Sequence, residues 1–151
     1  MVDTASLQKY SLFGALLPEE IDRVRPLMGS ATFAAGEYVI REECPNDSIY
    51  FVLEGRVEVS KHGVRLVEIG EGETFGEMEL LDVMPSVASI RTLTPCSFAT
   101  ISNRAIHEIF HLDTRIFSII IMNLARDLSR RLRHMDDVAS VIIKPPRSCP
   151  D

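Results

Sequence analysis

Short apolar segments separated by turn residues run from residue 31 to residue 102, and this regular alternation constrains the fold more than any other feature. Six segments have the composition of strands: Tyr38–Ile40, 49–53, 56–59, 64–69, 87–93 and 97–101. The segments between them are rich in glycine, asparagine and aspartate, which favour turns. Many short strands at such spacing are typical of a sandwich or barrel. We therefore predict a mainly β protein with a double-stranded β-helix, a jelly-roll-like barrel, over about residues 31–102.

The segments on both sides of the predicted barrel have helical periodicity. In residues 7–28, apolar residues recur every three or four positions, which predicts one N-terminal helix. After the barrel, the pattern predicts a short helix near residues 105–110 and a long one over about residues 113–139. We predict one domain over residues 1–140, with C-terminal helices at 103–139 and a flexible tail at 141–151.

The long helix carries more apolar surface than one barrel can cover. At 1.5 Å per residue it would be roughly 40 Å long. A helix that is apolar on several faces must be buried on several faces. We predict a homodimer through a coiled-coil seam; the alternative is a helix folded only onto its own barrel. The seam residues repeat at steps of three and four: Phe117, Ile121, Leu124, Leu128, Leu132 and Met135.

Composition and charge limit the partners of the chain. The 151 residues carry 16 Lys and Arg against 22 Asp and Glu, a formal charge of −6. This balance offers no general attraction to nucleic acid or to an anionic membrane. No segment approaches the roughly 18 apolar residues of a membrane span, and the first residues do not resemble a secretory signal. Three cysteines without a C-x-x-C pair fit a reducing compartment, so we expect a cytoplasmic protein.

The segment 72–90 contains the most distinctive chemical pattern in the sequence. There Gly76 permits close backbone approach, and a helical turn starting at Glu77 would present free N–H groups to an anion. The Glu77 carboxylate could also accept hydrogen bonds from a sugar hydroxyl. By itself, a Gly-Glu pair before a short helix is common and is usually only a cap. The surrounding motifs give it more specific meaning.

Over about residues 12–139 the chain resembles the cyclic nucleotide-binding domain family, which includes the catabolite activator protein and the regulatory subunits of cAMP-dependent kinase. The matching segments, in order, are 12–20, 36–40, 47–55, 72–77 and 90–96. The resemblance implies that residues after Phe75 form a phosphate-binding cassette. It places Gly76 and Glu77 where the family holds the ribose 2′-hydroxyl, and it places Phe75, Met78, Leu80 and Leu81 on the supporting turn.

Two positions in the cassette depart from the family pattern. The family has an arginine directly after the cassette proline, whereas here Pro85 is followed by Ser86 and Val87. A hydrogen bond to a charged group is worth about 1.5–3 kcal/mol, or roughly 10- to 150-fold in affinity. Glu79 stands where an alanine is common and adds negative charge beside the expected phosphate. Both changes weaken the case for a cyclic phosphate ligand.

Three arginines could compensate for the missing one. The strand pattern turns Arg91 outward, so we interpret it as a surface residue. Arg130 and Arg131 lie on the long helix, where residues of the family close over the base. Either could stack on a purine or reach an anion, and the alternative is that both are solvated beside the seam. The candidate ligand-binding residues are Phe75, Gly76, Glu77, Met78, Ser86, Val87 and Arg131.

We therefore predict a non-catalytic regulatory or sensor domain. It would bind cAMP or cGMP weakly, or another small ligand, and signal through its dimer helix. The alternative is a structural or protein-interaction module that has lost the ligand. No catalytic residue, cofactor or metal is expected, because the four histidines are scattered and a helix break is expected after His107. We expect no membrane or direct DNA contact, since residues 141–151 are too few for a helix-turn-helix. The sequence leaves open whether the chain has a further protein partner.

Overall fold

The computed structural model describes residues 2–143 as two four-stranded antiparallel sheets with helices at both ends of the chain. The strands are β1 (Gly29–Phe33), β2 (Tyr38–Ile40), β3 (Ser48–Glu54), β4 (Val57–Lys61), β5 (Val64–Ile69), β6 (Thr74–Phe75), β7 (Ser89–Thr92) and β8 (Cys96–Ser102). One sheet has the order β1-β8-β3-β6 and the other β2-β7-β4-β5. The strand pairings between described residues lie within the two sheets, so the arrangement is a β-roll rather than a single closed hydrogen-bonded barrel.

All six predicted strands are present, and two further strands escaped prediction. β6 has two residues, too few to show any alternation. β1 has only weak apolar patterning and forms through its backbone pairing with β8. Its first residue is Gly29, where an added Cβ would lie 2.7 Å from the Thr100 Oγ1 atom of β8. Glycine there permits the two strands to approach.

β3 is buried on both faces because it lies between two hydrophobic clusters. Successive strand side chains point to opposite faces. Ile49 and Phe51 pack in the cluster formed with the helices, whereas Val52 packs in the cluster between the two sheets. The second cluster also contains Phe75, whose ring stacks on Tyr50 with centroids 5.0 Å apart. Phe75 thereby fixes the start of the candidate cassette to the core.

The N-terminal segment is not one helix, and the prediction of a helix over residues 7–28 was wrong. It forms α1 (Thr4–Leu7), a 3-10 turn (Ser11–Phe13), α2 (Pro18–Val24) and a second 3-10 turn (Arg25–Leu27). Ala15 has a φ of 66°, in the left-handed region, which no α-helix accommodates. Pro18 and Pro26 lack the N–H needed to continue a preceding helix. The apolar periodicity instead reflects separate turns packed on one core.

Two helices follow the roll: α4 (Asn103–Leu112) and α5 (Thr114–Ile143). Ser102 caps α4, since its hydroxyl accepts from the Ala105 N–H at 3.1 Å. Asp113 separates the helices in an extended conformation, and its Oδ1 accepts from the Arg115 N–H at 2.9 Å. The long helix continues four residues beyond the predicted end at residue 139. The rest of the predicted tail, residues 144–151, lies outside the described residues.

α5 packs on the domain along one face and then extends beyond it. Ile116, Ile120 and Leu124 are buried in the core of the same chain. Buried Asn123 donates from Nδ2 to the carbonyls of Leu12 at 3.0 Å and Gly14 at 2.7 Å. From residue 132 to residue 142 every side chain is exposed. Over residues 2–143 the helices include none that is long and apolar enough to cross a membrane.

We expect Asn123→Ala to destabilise the fold by about 2–3 kcal/mol, because it removes two donors and leaves two carbonyls unsatisfied in the interior. Asn103→Ala, at an exposed helical position, is the matched control and should change stability by less than about 0.5 kcal/mol. Urea unfolding followed by circular dichroism measures both. Equal stability of the two variants would contradict the role assigned to Asn123 in anchoring α5.

Candidate functional site

The candidate cassette, residues 75–87, leaves β6 at Phe75 and returns to the sheet before β7. Gly76 has a φ of 88°, which turns the chain into α3 (Glu77–Asp82). Val83, with a φ of 57°, ends that helix in a left-handed conformation. The predicted helical turn at Glu77 is therefore confirmed, with a left-handed residue at each end.

Gly76 lies too close to β3 for any side chain. An added Cβ would lie 2.5 Å from the Ser48 carbonyl oxygen and 3.0 Å from the Asn46 Nδ2 atom. The Asn46 amide donates to the Gly76 carbonyl at 3.2 Å and to the Ser48 carbonyl at 2.9 Å. This amide joins the cassette to the start of β3. The sequence alone did not identify this role of Asn46, because the contact joins residues 30 positions apart.

Glu77 is 2% exposed, and its two carboxylate oxygens have different environments. Oε1 forms an ion pair with Arg131 of α5. Oε2 is buried and has no hydrogen-bond partner. A buried carboxylate oxygen without a partner is costly, since it has lost its hydration without replacement. Glu77 therefore has one carboxylate oxygen with a partner and one buried carboxylate oxygen without a partner.

Arg131 holds α5 against both the cassette and β6. Besides its ion pair with Glu77, its Nη2 donates to the Thr74 carbonyl at 2.7 Å. Burial lowers the pKa of Arg131, and the negative charge of Glu73 opposes this change. An arginine still stays protonated at neutral pH. Of the alternatives considered for Arg131, the structure shows contact with the cassette rather than full solvation.

Ser86 is 4% exposed, and its polar groups all have partners within the protein. Its hydroxyl donates to the Ala88 carbonyl at 2.7 Å, and its N–H donates to the Cys44 carbonyl at 2.9 Å. Its own carbonyl accepts from the Glu43 N–H at 2.8 Å. These bonds attach the end of the cassette to the loop before β3. In this geometry Ser86 has no free donor.

The other candidate residues divide by exposure. Phe75 is buried in the core, whereas Met78 is 46% exposed and Val87 is 42% exposed. Glu79 is 8% exposed, and within residues 2–143 no basic nitrogen lies within 4 Å of its carboxylate. The segment therefore combines an apolar surface with two buried acidic side chains.

The remaining arginines near the site have partners elsewhere. Arg91 is exposed, as predicted, and donates from Nε to the Gly36 carbonyl at 3.0 Å. The Arg41 guanidinium lies over the Tyr38 ring, 4.3 Å from its centroid. Neither side chain has a hydrogen bond to the cassette.

The histidines were expected to be scattered, with a helix break after His107, and this is wrong for one pair. His107 and His111 both lie on α4, with their Nε2 atoms 3.1 Å apart, because the helix continues to Leu112. Both are exposed. The described part of the chain contains no group of three or more His, Cys, Asp or Glu side chains arranged to hold a metal ion.

The model of the cyclic nucleotide-binding domain family matches residues 31–113, more than half of the chain. The chain belongs to the cyclic nucleotide-binding domain family. The matched residues include both sheets, the cassette and α4. The resemblance seen in the sequence is therefore confirmed.

Three relatives contain the matched region within longer chains. The cAMP-dependent protein kinase regulatory subunit of Emericella nidulans is 34% identical over 97 residues, covering 63% of this chain and 24% of its own. The Thermus thermophilus catabolite activator protein superposes with a TM-score of 0.77 at 26% identity, covering 87% of this chain and 62% of its own. The regulatory subunit of a cAMP-independent protein kinase A from Trypanosoma brucei has a TM-score of 0.70 at 25% identity, covering 82% and 43%.

The chain spans about a quarter or less of the length of the curated relatives it matches. These relatives include kinases and a glutaminase, in which the matched region is only part of the protein.

We expect Gly76→Ala to be much more damaging than Gly72→Ala. Both glycines have positive φ, near 85–88°, so each substitution costs about 1–2 kcal/mol from the left-handed backbone. An added Cβ at Gly72 meets nothing within 4 Å, whereas at Gly76 it clashes with β3. The clash should cost roughly 1–3 kcal/mol more. Urea unfolding of the two variants measures the difference, and equal losses would contradict the close contact.

Proposed function

We propose that this domain is a non-catalytic sensor that binds a ribose-bearing small ligand at Glu77 and transmits its occupancy through α5. The observation that carries the proposal is the Glu77 carboxylate itself. Its Oε1 already pairs with Arg131 of α5, and its buried Oε2 has no partner. A ligand hydroxyl that donates to Oε2 would satisfy the remaining acceptor. One side chain would then join the ligand to the long helix.

Family membership supports a cyclic nucleotide, cAMP or cGMP, as the first ligand class to test. The kinase regulatory subunit of Emericella nidulans is described as cAMP-dependent. The Trypanosoma brucei subunit is described as belonging to a cAMP-independent kinase, so membership alone does not imply cAMP. The absence of a cassette arginine after Pro85 favours weak binding of any cyclic phosphate.

The alternative function is a ligand-free structural or protein-interaction module. The ion pair between Arg131 and Glu77 favours it to some extent, because α5 already contacts the cassette without a ligand. The unpartnered Glu77 Oε2 favours a ligand, since a site that had lost its ligand gains nothing from retaining a buried open acceptor.

Ligand binding and helix position would be coupled through Arg131. If a ligand strengthens the contact between α5 and the cassette, then docking of α5 strengthens ligand binding by the same factor. Among the described residues, Arg131 is the last residue of α5 that has an ion pair with the cassette, and it lies within the exposed part of the helix. A small change there would alter the direction of the exposed part.

That exposed part is the proposed dimer surface. Apolar side chains continue along one stripe of α5 at alternating steps of four and three: Ile121, Ala125, Leu128, Leu132, Met135, Ala139 and Ile142. Leu132 is 62% exposed and Met135 66% exposed in the single chain. This spacing is that of a two-stranded coiled coil. Four predicted seam residues contact the core of their own chain: Leu124 is buried in it, and Phe117, Ile121 and Leu128 pack beside it.

The ligand proposal is tested by isothermal titration calorimetry of the wild type and Glu77→Gln with cAMP, cGMP and the corresponding nucleosides. Glu77→Gln keeps the shape but removes the charged acceptor, so affinity should fall at least about tenfold. Glu71→Gln removes an exposed carboxylate from the preceding turn and should leave affinity unchanged. Absence of binding to the wild type at millimolar concentration would contradict the proposal and support the ligand-free module.

The dimer proposal is tested with Leu132→Glu. A charge at the centre of the seam should convert the dimer to a monomer, because an unpaired buried carboxylate is costly. Ser140→Glu adds the same charge at an exposed position of α5 outside the seam and should stay dimeric. Light scattering coupled to size exclusion measures both. A monomeric wild type would contradict the seam.

A further inference from the structure

We propose that the ligand at Glu77 is an uncharged nucleoside rather than a cyclic nucleotide. This inference rests on the proposed function, since it takes for granted that a ribose hydroxyl binds at Glu77. It concerns the other half of the ligand, which in a cyclic nucleotide is a phosphodiester with one negative charge. The described contacts of the cassette side chains provide neither a free donor nor an unpaired cation to stabilise that charge.

Ser86 stands where the family supplies its arginine, and the structure leaves it nothing to offer an anion. Its hydroxyl hydrogen is donated to the Ala88 carbonyl and its N–H to the Cys44 carbonyl. To bind a phosphate, Ser86 would have to break one of these bonds and leave a buried carbonyl unsatisfied. Ser86 therefore stabilises the cassette through hydrogen bonds within the protein, whereas the family arginine binds the phosphate of the ligand.

The charge of the cassette is also of the wrong sign for a phosphate. Two buried carboxylates, Glu77 and Glu79, lie on α3, and one guanidinium, that of Arg131, pairs with Glu77. The sum of these three charges is −1. Arg131 is already held by Glu77 and by the Thr74 carbonyl. An added phosphodiester would bring a second negative charge into a partly desolvated site without a cation of its own.

Within the described residues, the two other arginines near the site have no hydrogen bond to the cassette. Arg91 bonds to the Gly36 carbonyl, and Arg41 lies over the Tyr38 ring. α3 has only six residues, and Glu77 and Glu79 occupy its first turn, where they neutralise the positive end of the helix. A phosphate could therefore obtain little help from the backbone.

A nucleoside avoids these costs and keeps the favourable contacts. Its ribose hydroxyls are donors, which is what the buried Glu77 Oε2 lacks. Its base is apolar on both faces and can lie against exposed apolar side chains of the cassette. Those side chains are Met78, Leu81, Val83, Met84 and Val87. Glu79, which repels a phosphate, leaves a neutral sugar unaffected and can accept a second hydroxyl.

The test compares each nucleoside with its own cyclic phosphate. Adenosine, guanosine, inosine and uridine are titrated into the wild-type chain in parallel with the corresponding 3′,5′-cyclic monophosphates. For the base that binds best, the nucleoside should bind at least about tenfold tighter, the effect of one unpaired charge. A smaller ratio, or a preference for the cyclic phosphate, overturns the inference while leaving the proposed function intact. No binding of any of the eight compounds overturns the proposed function itself.

Two variants identify the cause of the preference. Glu79→Gln removes the charge that repels a phosphate. The ratio of the affinities for the nucleoside and the cyclic nucleotide should therefore fall at least about threefold, mainly because the cyclic nucleotide binds more tightly. Asp82→Asn removes an exposed carboxylate from the same helix and should leave the ratio unchanged. Equal effects of the two variants would show that the preference comes from general surface charge, which overturns the role of the buried cassette. Circular dichroism of each variant checks that it folds as the wild type does.

Discussion

The guanidinium of Arg131 connects α5 to the cassette through the Glu77 carboxylate and the Thr74 carbonyl, and the functional architecture depends on this contact. Glu77 is nearly fully buried, so its charge must be compensated within the protein. Without Arg131 a buried carboxylate would be left alone, which is costly in a low-dielectric interior. The pair therefore joins the helix directly to the cassette.

Both partners of this pair are positioned by separate parts of the fold. Gly76 turns the chain from β6 into α3 and is held against β3 by the amide of Asn46. On the other side, Asn123 anchors α5 to the carbonyls of Leu12 and Gly14, two turns before Arg131. The cassette thus rests on the sheets and the helix on the N-terminal turns. The ion pair joins the two.

Much of this fold could be predicted from the sequence, because strand alternation and helical periodicity are local properties. The positions of β2, β3 and β5, the helical turn at Glu77 and the length of α5 all follow from them. The single N-terminal helix was wrong since apolar periodicity persists across turns that pack on one core. β1 was missed because its formation depends on pairing with β8, which lies far away in sequence.

The candidate site was less accessible to sequence reasoning. The family pattern located Gly76, Glu77 and the missing arginine. It could not show that Ser86 donates its hydrogen bonds to carbonyls of the protein itself. Nor could it show which oxygen of Glu77 Arg131 would occupy, since the two residues are 54 positions apart. These contacts arise from tertiary structure. Together with the missing cassette arginine, they are the basis for proposing an uncharged ligand.

A crystal structure of the chain with adenosine bound tests the central claim most directly. We expect a ribose hydroxyl within about 3 Å of the Glu77 Oε2 atom, with Arg131 still paired to Oε1 and Ser86 still bonded to the Ala88 carbonyl. A ligand bound away from Glu77, or an Oε2 atom that stays without a partner in the complex, would contradict the account.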